Sequence, residues 1–300
     1  MTTPTTPTTT TLRSPALTAP ALTATAEPSV PVDPASTGSH PRRRAHLLDV
    51  IRGEWIKFRS VRSTSLALIA TGVVTVALGM VFSATVDSGE DVPNAAVGLT
   101  DPVQLALGAV DLTAMIVGVL GVLVIAGEYS TGLVRTTFAA VGSRLSVLGA
   151  KAVVLGLATM VAISVTAVLA LWLGQAVYAG DQAILELSDP DAIGVIVGTT
   201  VYVTGIALMG LSLGAILRST ASGIGVLVGA VFILPGLMQL LPDAFTDVVL
   251  KYLPSEAGSV MMSTVSDPNL LSTGEAYAVF AAWVIGLLAV AGVLTRIRDA

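Results

Sequence analysis

The sequence contains no cysteine and only two histidines, His40 and His46, both of which precede the first long apolar run. Without cysteine, the chain can form no disulfide, no thiolate metal site and no thiol nucleophile. A phosphate-binding loop of the Gly-x-x-x-x-Gly-Lys-Ser/Thr type is also missing, because no Gly-Lys pair occurs anywhere. If ATP powers this protein, we therefore expect the ATP-binding subunit to be a different polypeptide.

Charge is scarce as well. Charged residues make up 12% of the chain, hydrophobic residues make up 53%, and the formal net charge is −5. A soluble domain normally carries about twice that share of charged residues. Several apolar runs exceed the roughly 18 residues that mark a candidate membrane-spanning helix. The composition therefore predicts an all-α, polytopic membrane protein.

Residues 1–41 differ from the rest of the chain. They hold eight of the fifteen prolines and many threonines, with few large apolar side chains. Such a segment cannot bury enough surface to offset its chain entropy, so we expect a disordered tail. It has no continuous apolar stretch of the kind found in signal peptides, and we expect no cleavage there. Residues 42–300 then form a single transmembrane domain.

Six helical spans can be drawn in this domain, and the third is longer than a bilayer requires, so it should tilt or protrude. The predicted spans run from about Ser65 to Val86, Val103 to Ala126, Val147 to Val177, Ile193 to Leu217, Gly223 to Leu241 and Ala276 to Leu294.

The cations indicate the orientation. All but Lys251 of the fifteen Lys and Arg residues fall before the first span, between spans two and three or in the first turns of span three (Lys151), between spans four and five, or after span six. An excess of Lys and Arg marks the cytoplasmic side. Both termini are therefore predicted to be cytoplasmic. Most acidic residues fall on the other side, where they solvate the loops.

The segment from Arg42 to Arg62 has the pattern of an amphipathic helix. Its apolar face comprises Leu47, Leu48, Ile51, Trp55 and Phe58. Such a helix can lie in the membrane interface, with cations near anionic headgroups and Trp55 at headgroup depth. The predicted interfacial anchors are Trp55, Lys57, Arg59 and Arg62. The alternative is a cytosolic helix that packs on a soluble partner.

The polar segment between the second and third spans, residues 127–151, carries apolar residues at helical spacing. This spacing predicts a short helix from about Thr131 to Val141, followed by a break at Gly142. Ser143 is a predicted N-cap for the third span. A helix in this place is a candidate contact surface for a cytoplasmic partner.

Three motifs resemble those of actinobacterial type-two ABC exporter permeases. Residues 54–64 read Glu-Trp-Ile-Lys-Phe-Arg-Ser-Val-Arg-Ser-Thr, residues 127–135 read Gly-Glu-Tyr-Ser-Thr-Gly-Leu-Val-Arg, and residues 252–258 read Tyr-Leu-Pro-Ser-Glu-Ala-Gly. The resemblance covers about residues 45–300, and the nine-residue motif is the most specific of the three. It implies a permease half that pairs with a second half and recruits two ATPase subunits.

The resemblance also implies a coupling helix, Thr131 to Val141, that sits in a cleft on the ATPase. The residues assigned to coupling are Glu128, Tyr129, Gly132, Arg135, Phe138 and Arg144. Phe138 would anchor the helix in a pocket. Ser130 and Ser143 depart from the basic residue and the proline that are frequent in relatives, which could shift the start of the helix. Glu128 could instead pair with Arg135 or Arg144 at headgroup level and contact no partner.

Asp111 and Pro235 are candidates for the substrate path or gate. An acid within the hydrocarbon zone is costly and is a functional-site candidate by default. Asp111 could line a substrate path, bond a Thr or Tyr across the bundle, or reach water near the end of its span. Pro235 removes a helical hydrogen bond, so the fifth span should kink or stop there.

The outside segment after Pro235 contains two possible short helices, 248–253 and 257–262. The family resemblance implies a re-entrant element of this kind near an extracellular gate.

Residues 210–214 read Gly-Leu-Ser-Leu-Gly, which matches the nucleophile-elbow pattern of hydrolases. That motif requires a strand-turn-helix context and a histidine partner. Here it lies in an uncharged span with no histidine within reach. The pattern favours close helix packing instead, as does Gly225-x-x-x-Gly229.

We therefore expect the permease subunit of an ATP-driven exporter in the plasma membrane. It would not itself be an enzyme and would bind no cofactor, since ATP and Mg²⁺ belong to the partner ATPase. Its expected partners are that ATPase, a second permease half and the lipid bilayer, and not nucleic acid. The alternatives are an ion-coupled secondary transporter, which usually has more intramembrane acids, and a non-transporting membrane anchor or immunity protein.

Overall fold

A computed structural model describes residues 47–85, 102–141, 143–178, 189–240, 242, 249–264 and 270–298. Every regular element in these ranges is helical, which confirms the all-α prediction. The tail of residues 1–41, for which we predicted disorder, lies outside the described residues, as do most of the segments that link spans one to two and three to four, with Asp87 and Asp181.

The α-helices are numbered here in chain order, and a π-helical and a 3₁₀ segment interrupt the series. They are α1 (Leu47–Ser60), α2 (Arg62–Ala84), α3 (Pro102–Ala106), α4 (Val110–Thr131), α5 (Leu133–Val141), α6 (Arg144–Ala176), α7 (Pro190–Leu217), α8 (Thr220–Val228), the π-helix Gly229–Ile233, α9 (Leu234–Met238), the 3₁₀ turn Leu250–Tyr252, α10 (Pro254–Met262) and α11 (Thr273–Ile297).

Six helical stretches are long and apolar enough to cross a membrane, as predicted. They are Arg62–Ala84, Val103–Thr131, Arg144–Ala176, Pro190–Leu217, Thr220–Met238 and Thr273–Ile297. The shortest has 19 residues, which is about 28 Å of helix. The third has 33 residues and is the longest, in line with the prediction that it exceeds the bilayer. The chain is a multi-pass membrane protein.

The second span differs from its predicted bounds. It begins as the short helix α3, turns at residues 107–109 and continues as α4 to Thr131, not to Ala126. Helix α4 ends at Gly132, whose φ of 73° lies in the left-handed region. Glycine adopts that conformation without a Cβ penalty, which makes it the usual residue at a helix end. The last polar turn therefore belongs to the membrane helix, and only α5 lies outside it.

The core of the bundle forms where α4 and α7 lie backbone to backbone. A Cβ at Gly210 would overlap the carbonyl oxygen of Gly118, and a Cβ at Gly121 would overlap that of Ala207. Small residues permit such close helix approach within membranes. The packing interpretation of residues 210–214 is thus confirmed. Among the described residues, nothing lies within 4 Å of a Cβ built at Gly225 or Gly229, so this pair makes no close helix contact in that part of the chain.

Pro235 changes the helix without ending it. The residues before it, Gly229–Ile233, form a π-helix, and α9 continues through the proline to Met238. Proline has no N–H to donate to the preceding turn. The helix widens into a π turn before the proline, where one hydrogen bond is missing. The predicted interruption is therefore a π segment, and the helix does not stop at Pro235. The side chain of Pro235 is buried.

The segment after the fifth span contains the two short helical elements expected there. The 3₁₀ turn Leu250–Tyr252 receives a hydrogen bond from α11, since the Trp283 Nε1–H donates to the Tyr252 carbonyl oxygen at 2.9 Å. Helix α10 packs on α7 so closely that a Cβ at Gly198 would overlap the Met261 carbonyl oxygen. These elements are therefore fixed to the bundle.

We expect Gly210→Leu to separate α4 from α7 and to destabilise the protein by about 1–3 kcal/mol, because the side chain has no space against Gly118. The measurement is the melting temperature of the detergent-solubilised protein, followed by tryptophan fluorescence. Gly225→Leu is the matched control, because no atom of the described residues lies within 4 Å of its added Cβ. Equal melting temperatures for the two variants would contradict the packing described here.

Candidate functional site

The ends of four membrane helices meet on one side of the bundle. Arg144 Nη1, at the start of α6, donates to the Arg298 carbonyl oxygen beyond α11 at 2.7 Å. Arg298 Nη1 donates to the Ile216 carbonyl oxygen of α7 at 3.0 Å. The Arg218 guanidinium lies 5.3 Å from the centre of the Tyr129 ring of α4. We call this the basic side, and it is the side predicted to be cytoplasmic.

Helix α1 lies against α6 on the basic side. Val50 and Glu54 are four residues apart and therefore share one face of the helix. Both are buried, and Val50 packs with Val147 and Ala150 of α6. The face of α1 that docks on the bundle thus carries a carboxylate as well as an apolar residue.

That carboxylate belongs to a cluster of four charges, Glu54, Lys57, Glu128 and Lys151, which we call the charge cluster. Lys151 Nζ lies 2.7 Å from Glu54 Oε2 and 2.7 Å from Glu128 Oε1. The Lys57 ammonium also donates to Glu128 Oε1. Two cations and two anions are therefore joined, and the cluster is neutral overall. It connects α1, α4 and α6.

Three of the four side chains of the charge cluster are buried. The side chain of Lys151 is 2% exposed, that of Glu128 is 9% and that of Glu54 is 10%, whereas that of Lys57 is 38%. A buried charge is tolerated only when it is paired and hydrogen-bonded. Replacing one partner of a buried pair costs about 3–5 kcal/mol, because the other charge is left uncompensated. The cluster therefore fixes the position of α1 on the bundle.

The surroundings of Lys57 favour its charged form. Partial burial lowers the pKa of the Lys57 ammonium, but the hydrogen bond and charge of Glu128, with the charge of Glu54, raise it above the ordinary value of 10.5. A raised folded-state pKa of a cation stabilises the fold below the unfolded pKa. This contribution is complete below pH 10.5 and is lost as the pH rises through the raised value.

Helix α5 is held by short connections at both ends. Gly132 alone separates it from α4, and residues 142–143 separate it from α6. The Ser143 side chain accepts a hydrogen bond from the Ser146 N–H, which confirms the predicted N-cap. Val134 is buried, whereas Leu133 is half exposed and Thr136 is exposed. Helix α5 thus presents an accessible surface while one of its side chains packs inward.

Most of the residues predicted for coupling lie on two different helices, α4 and α5, and at the break between them. Glu128 and Tyr129 lie in the last turn of α4, and Gly132 forms the break before α5. Lys57 and Lys151 pair with Glu128, and neither of them was among its predicted partners, Arg135 and Arg144. Arg135 and Phe138 lie on α5, and their side chains are outside the described part of the structure.

Three of the predicted interfacial anchors have exposed side chains, and their position in the membrane interface stays a prediction. Trp55 is 45% exposed and stacks on Phe58 with 6.3 Å between the ring centres, and Arg59 and Arg62 are exposed. Lys57 is the exception, because it binds Glu128 within the bundle.

Sequence reasoning missed Glu54. The available signal was its position one turn from Val50 and three residues before Lys57 on α1.

Asp111 bonds a tyrosine across the bundle, which was one of the three predicted alternatives. The Tyr202 hydroxyl donates to Asp111 Oδ1 at 3.3 Å. Burial raises the pKa of Glu256 on the neighbouring α10, and the charge of Asp111 raises it further. Asp111 is also exposed, so it reaches the surface of the bundle. A role for Asp111 or Pro235 in a substrate path stays a prediction.

The fold and site define an all-α, multi-pass membrane protein. At its basic side, the charge cluster joins helix α1 to α4 and α6. The sequence matches no protein-family model, and a search of curated proteins finds no match. Among the described residues, no group of three or more His, Asp or Glu side chains is placed to hold a metal ion.

We expect Lys151→Met to destabilise the protein by about 3–5 kcal/mol, because both Glu54 and Glu128 lose the buried ammonium that pairs with them. A variant that neutralises all four positions with Gln and Met should lose much less, since it buries no unpaired charge. The measurement is thermal unfolding of the purified protein. Arg59→Met, which removes an exposed cation from α1, is the control. If the fourfold variant were the least stable of the three, the four charges would not act as a unit.

Proposed function

We propose that this chain is the membrane-spanning permease subunit of an ATP-driven exporter of the type-two ABC class. The observation that carries the proposal is the nine-residue helix α5, held between two membrane helices by connections of one and two residues. The motif at residues 127–135 spans this junction. In the proposed function, α5 is the coupling helix that docks on a separate ATPase.

The physical argument concerns the transmission of force. A permease that hydrolyses nothing must receive motion from its ATPase through a stiff element. Gly132 joins α5 directly to α4, and Ser143 caps α6 immediately after it. Glu128 and Lys151 then bind these two membrane helices to each other only one or two turns away. A push on α5 would therefore move α4 and α6 together.

The remaining components follow from the same proposal. The ATPase would bind ATP and Mg²⁺, and this chain would be neither an enzyme nor a cofactor carrier. A second permease half, either a copy or a paralogue, would complete the transport path. The protein would lie in the plasma membrane with the basic side, and therefore both termini, in the cytoplasm.

Two results would favour the other functional classes. Transport driven by an ion gradient without an ATPase would indicate a secondary transporter. A chain that is stable in the membrane, moves nothing and binds no ATPase would indicate an anchor or immunity protein.

The absence of native cysteine allows a direct test of orientation. Thr136 lies exposed on α5, and Leu270 is 43% exposed near the opposite end of α11. We expect a membrane-impermeant maleimide to label Leu270→Cys in intact cells, and to label Thr136→Cys only after the cells are permeabilised. The reverse pattern would place the basic side outside and would contradict the proposed docking of an ATPase.

The docking itself is tested by changing α5. We expect the tagged chain, purified from the cells that naturally produce it, to bring down a polypeptide with Mg²⁺-dependent ATPase activity. Replacing residues 133–141 with a Gly/Ser linker should abolish that activity in the purified fraction. Thr136→Glu should reduce it by at least tenfold, because an unpaired charge buried at an interface costs a few kcal/mol and about 1.4 kcal/mol is a factor of ten.

Ser259→Glu on α10 is the matched control, since Ser259 is also an exposed hydroxyl residue but lies on the other side of the bundle. If ATPase activity co-purifies equally with the linker variant, α5 is not the docking element. If none co-purifies with the unaltered chain, the ABC assignment itself fails.

A further inference from the structure

A cleft of about 640 Å³ opens beside the charge cluster, between α1, α2, α4 and α6. Its deeper walls are aliphatic and are formed by Ala67, Leu120, Leu123, Val124, Val154 and Leu155. All four residues of the charge cluster also line it, at one end only. A space of this size is within the usual range for a small-molecule or lipid site. The cleft is therefore amphiphilic, with one polar end and one apolar end.

Its polar end offers positive charge to a ligand. Of the charged residues that line the cleft, Lys57 alone has a side chain exposed by more than 10%. The two carboxylates are buried and already bonded to lysines. The Lys57 ammonium has three donors, and its bond to Glu128 uses one of them. A ligand in the cleft would thus meet a cation with donors to spare, and not a carboxylate.

The beginning of α2 adds to this positive end. Val61 occupies the N-cap of the helix and provides no side-chain acceptor for its first N–H groups. Such N–H groups carry partial positive charge and favour an anion. Val61, Ser63 and Thr64 all line the cleft next to Lys57. The Lys57 ammonium and the start of α2 therefore both favour a negatively charged ligand.

The cleft is open to the side of the bundle. Val61 is 44% exposed, Leu123 is 44% exposed and Leu133 is 50% exposed. Since α2 and α4 are long and apolar enough to span a membrane, the opening between them would face the bilayer, with Leu123 deeper than Lys57 and with Leu133 of α5 at the outer edge. Basic pockets between membrane helices recognise anionic lipid headgroups. A phospholipid can thus present its phosphate and one acyl chain to the cleft without leaving its leaflet.

We propose that this cleft binds an anionic membrane phospholipid, with the phosphate at Lys57 and the start of α2 and one acyl chain along Leu120, Leu123 and Leu155. The phosphate shares the Lys57 ammonium with Glu128, so the lipid becomes an additional member of the charge cluster. The site requires neither ATP nor a transported substrate, and it is independent of the proposed transport function.

The test is native mass spectrometry of the purified full-length protein with added phosphatidylglycerol. We expect phosphatidylglycerol to bind more tightly than phosphatidylcholine, and Lys57→Met to weaken it roughly tenfold through the loss of one charge-assisted bond. Lys57→Arg should preserve binding. Arg59→Met, which removes a neighbouring exposed cation outside the cleft, should have no effect.

A second variant tests the apolar part of the site without changing charge. Leu123→Trp should fill the acyl groove and weaken binding by a similar factor. Leu112→Trp, on an exposed residue of the same helix outside the cleft, should not. Equal binding of the two lipids, or no loss in either Lys57→Met or Leu123→Trp, would overturn the proposal. Full displacement by glycerol phosphate, which has no acyl chain, would overturn it as well.

Discussion

The structure depends on the ammonium group of Lys151, which is buried at the end of a membrane bundle and therefore requires negative charge beside it. Glu128 supplies one carboxylate from α4, and Glu54 supplies the other from α1. A buried ion pair contributes little net stability, but removing one partner is costly. The charge cluster therefore determines how three helices are arranged. Helix α1 must dock where Glu54 reaches Lys151, and the beginning of α6 must lie beside the end of α4.

Because of this constraint, the helices on the basic side are joined stiffly to one another. Helix α5 is short and joined tightly to α4 and α6, which the cluster ties together near their ends. Helix α4 is in turn in backbone contact with α7 through Gly118 and Gly210, so little relative sliding is possible there. In the proposed function, displacement of α5 by an ATPase would pass along this contact into the centre of the bundle. The proposed lipid would add a phosphate to the same cluster through Lys57.

Most of the fold was predictable because its signals are local. Apolar runs identify the six spans, Ser143 is a typical N-cap, and Val141 ends the short helix in the structure as in the sequence prediction. The end of α4 was placed too early, because the polar residues Glu128 and Tyr129 suggested a loop. Both lie in the last turn of the helix, where Glu128 pairs with lysines that are distant in sequence. The pairing of Glu54 could not be predicted either, since it requires knowledge of which face of α1 docks on α6.

The central claim is that the charge cluster, and not the membrane interface alone, holds α1 in place. Backbone hydrogen exchange of residues 47–60 in lipid nanodiscs tests it directly, by comparing the unaltered protein with the double variant Glu54→Gln, Lys57→Met. We predict exchange at least roughly tenfold faster in α1 of the variant, with α7 unchanged, because local opening reports the loss of local contacts. Identical exchange of α1 in the two proteins would contradict the account.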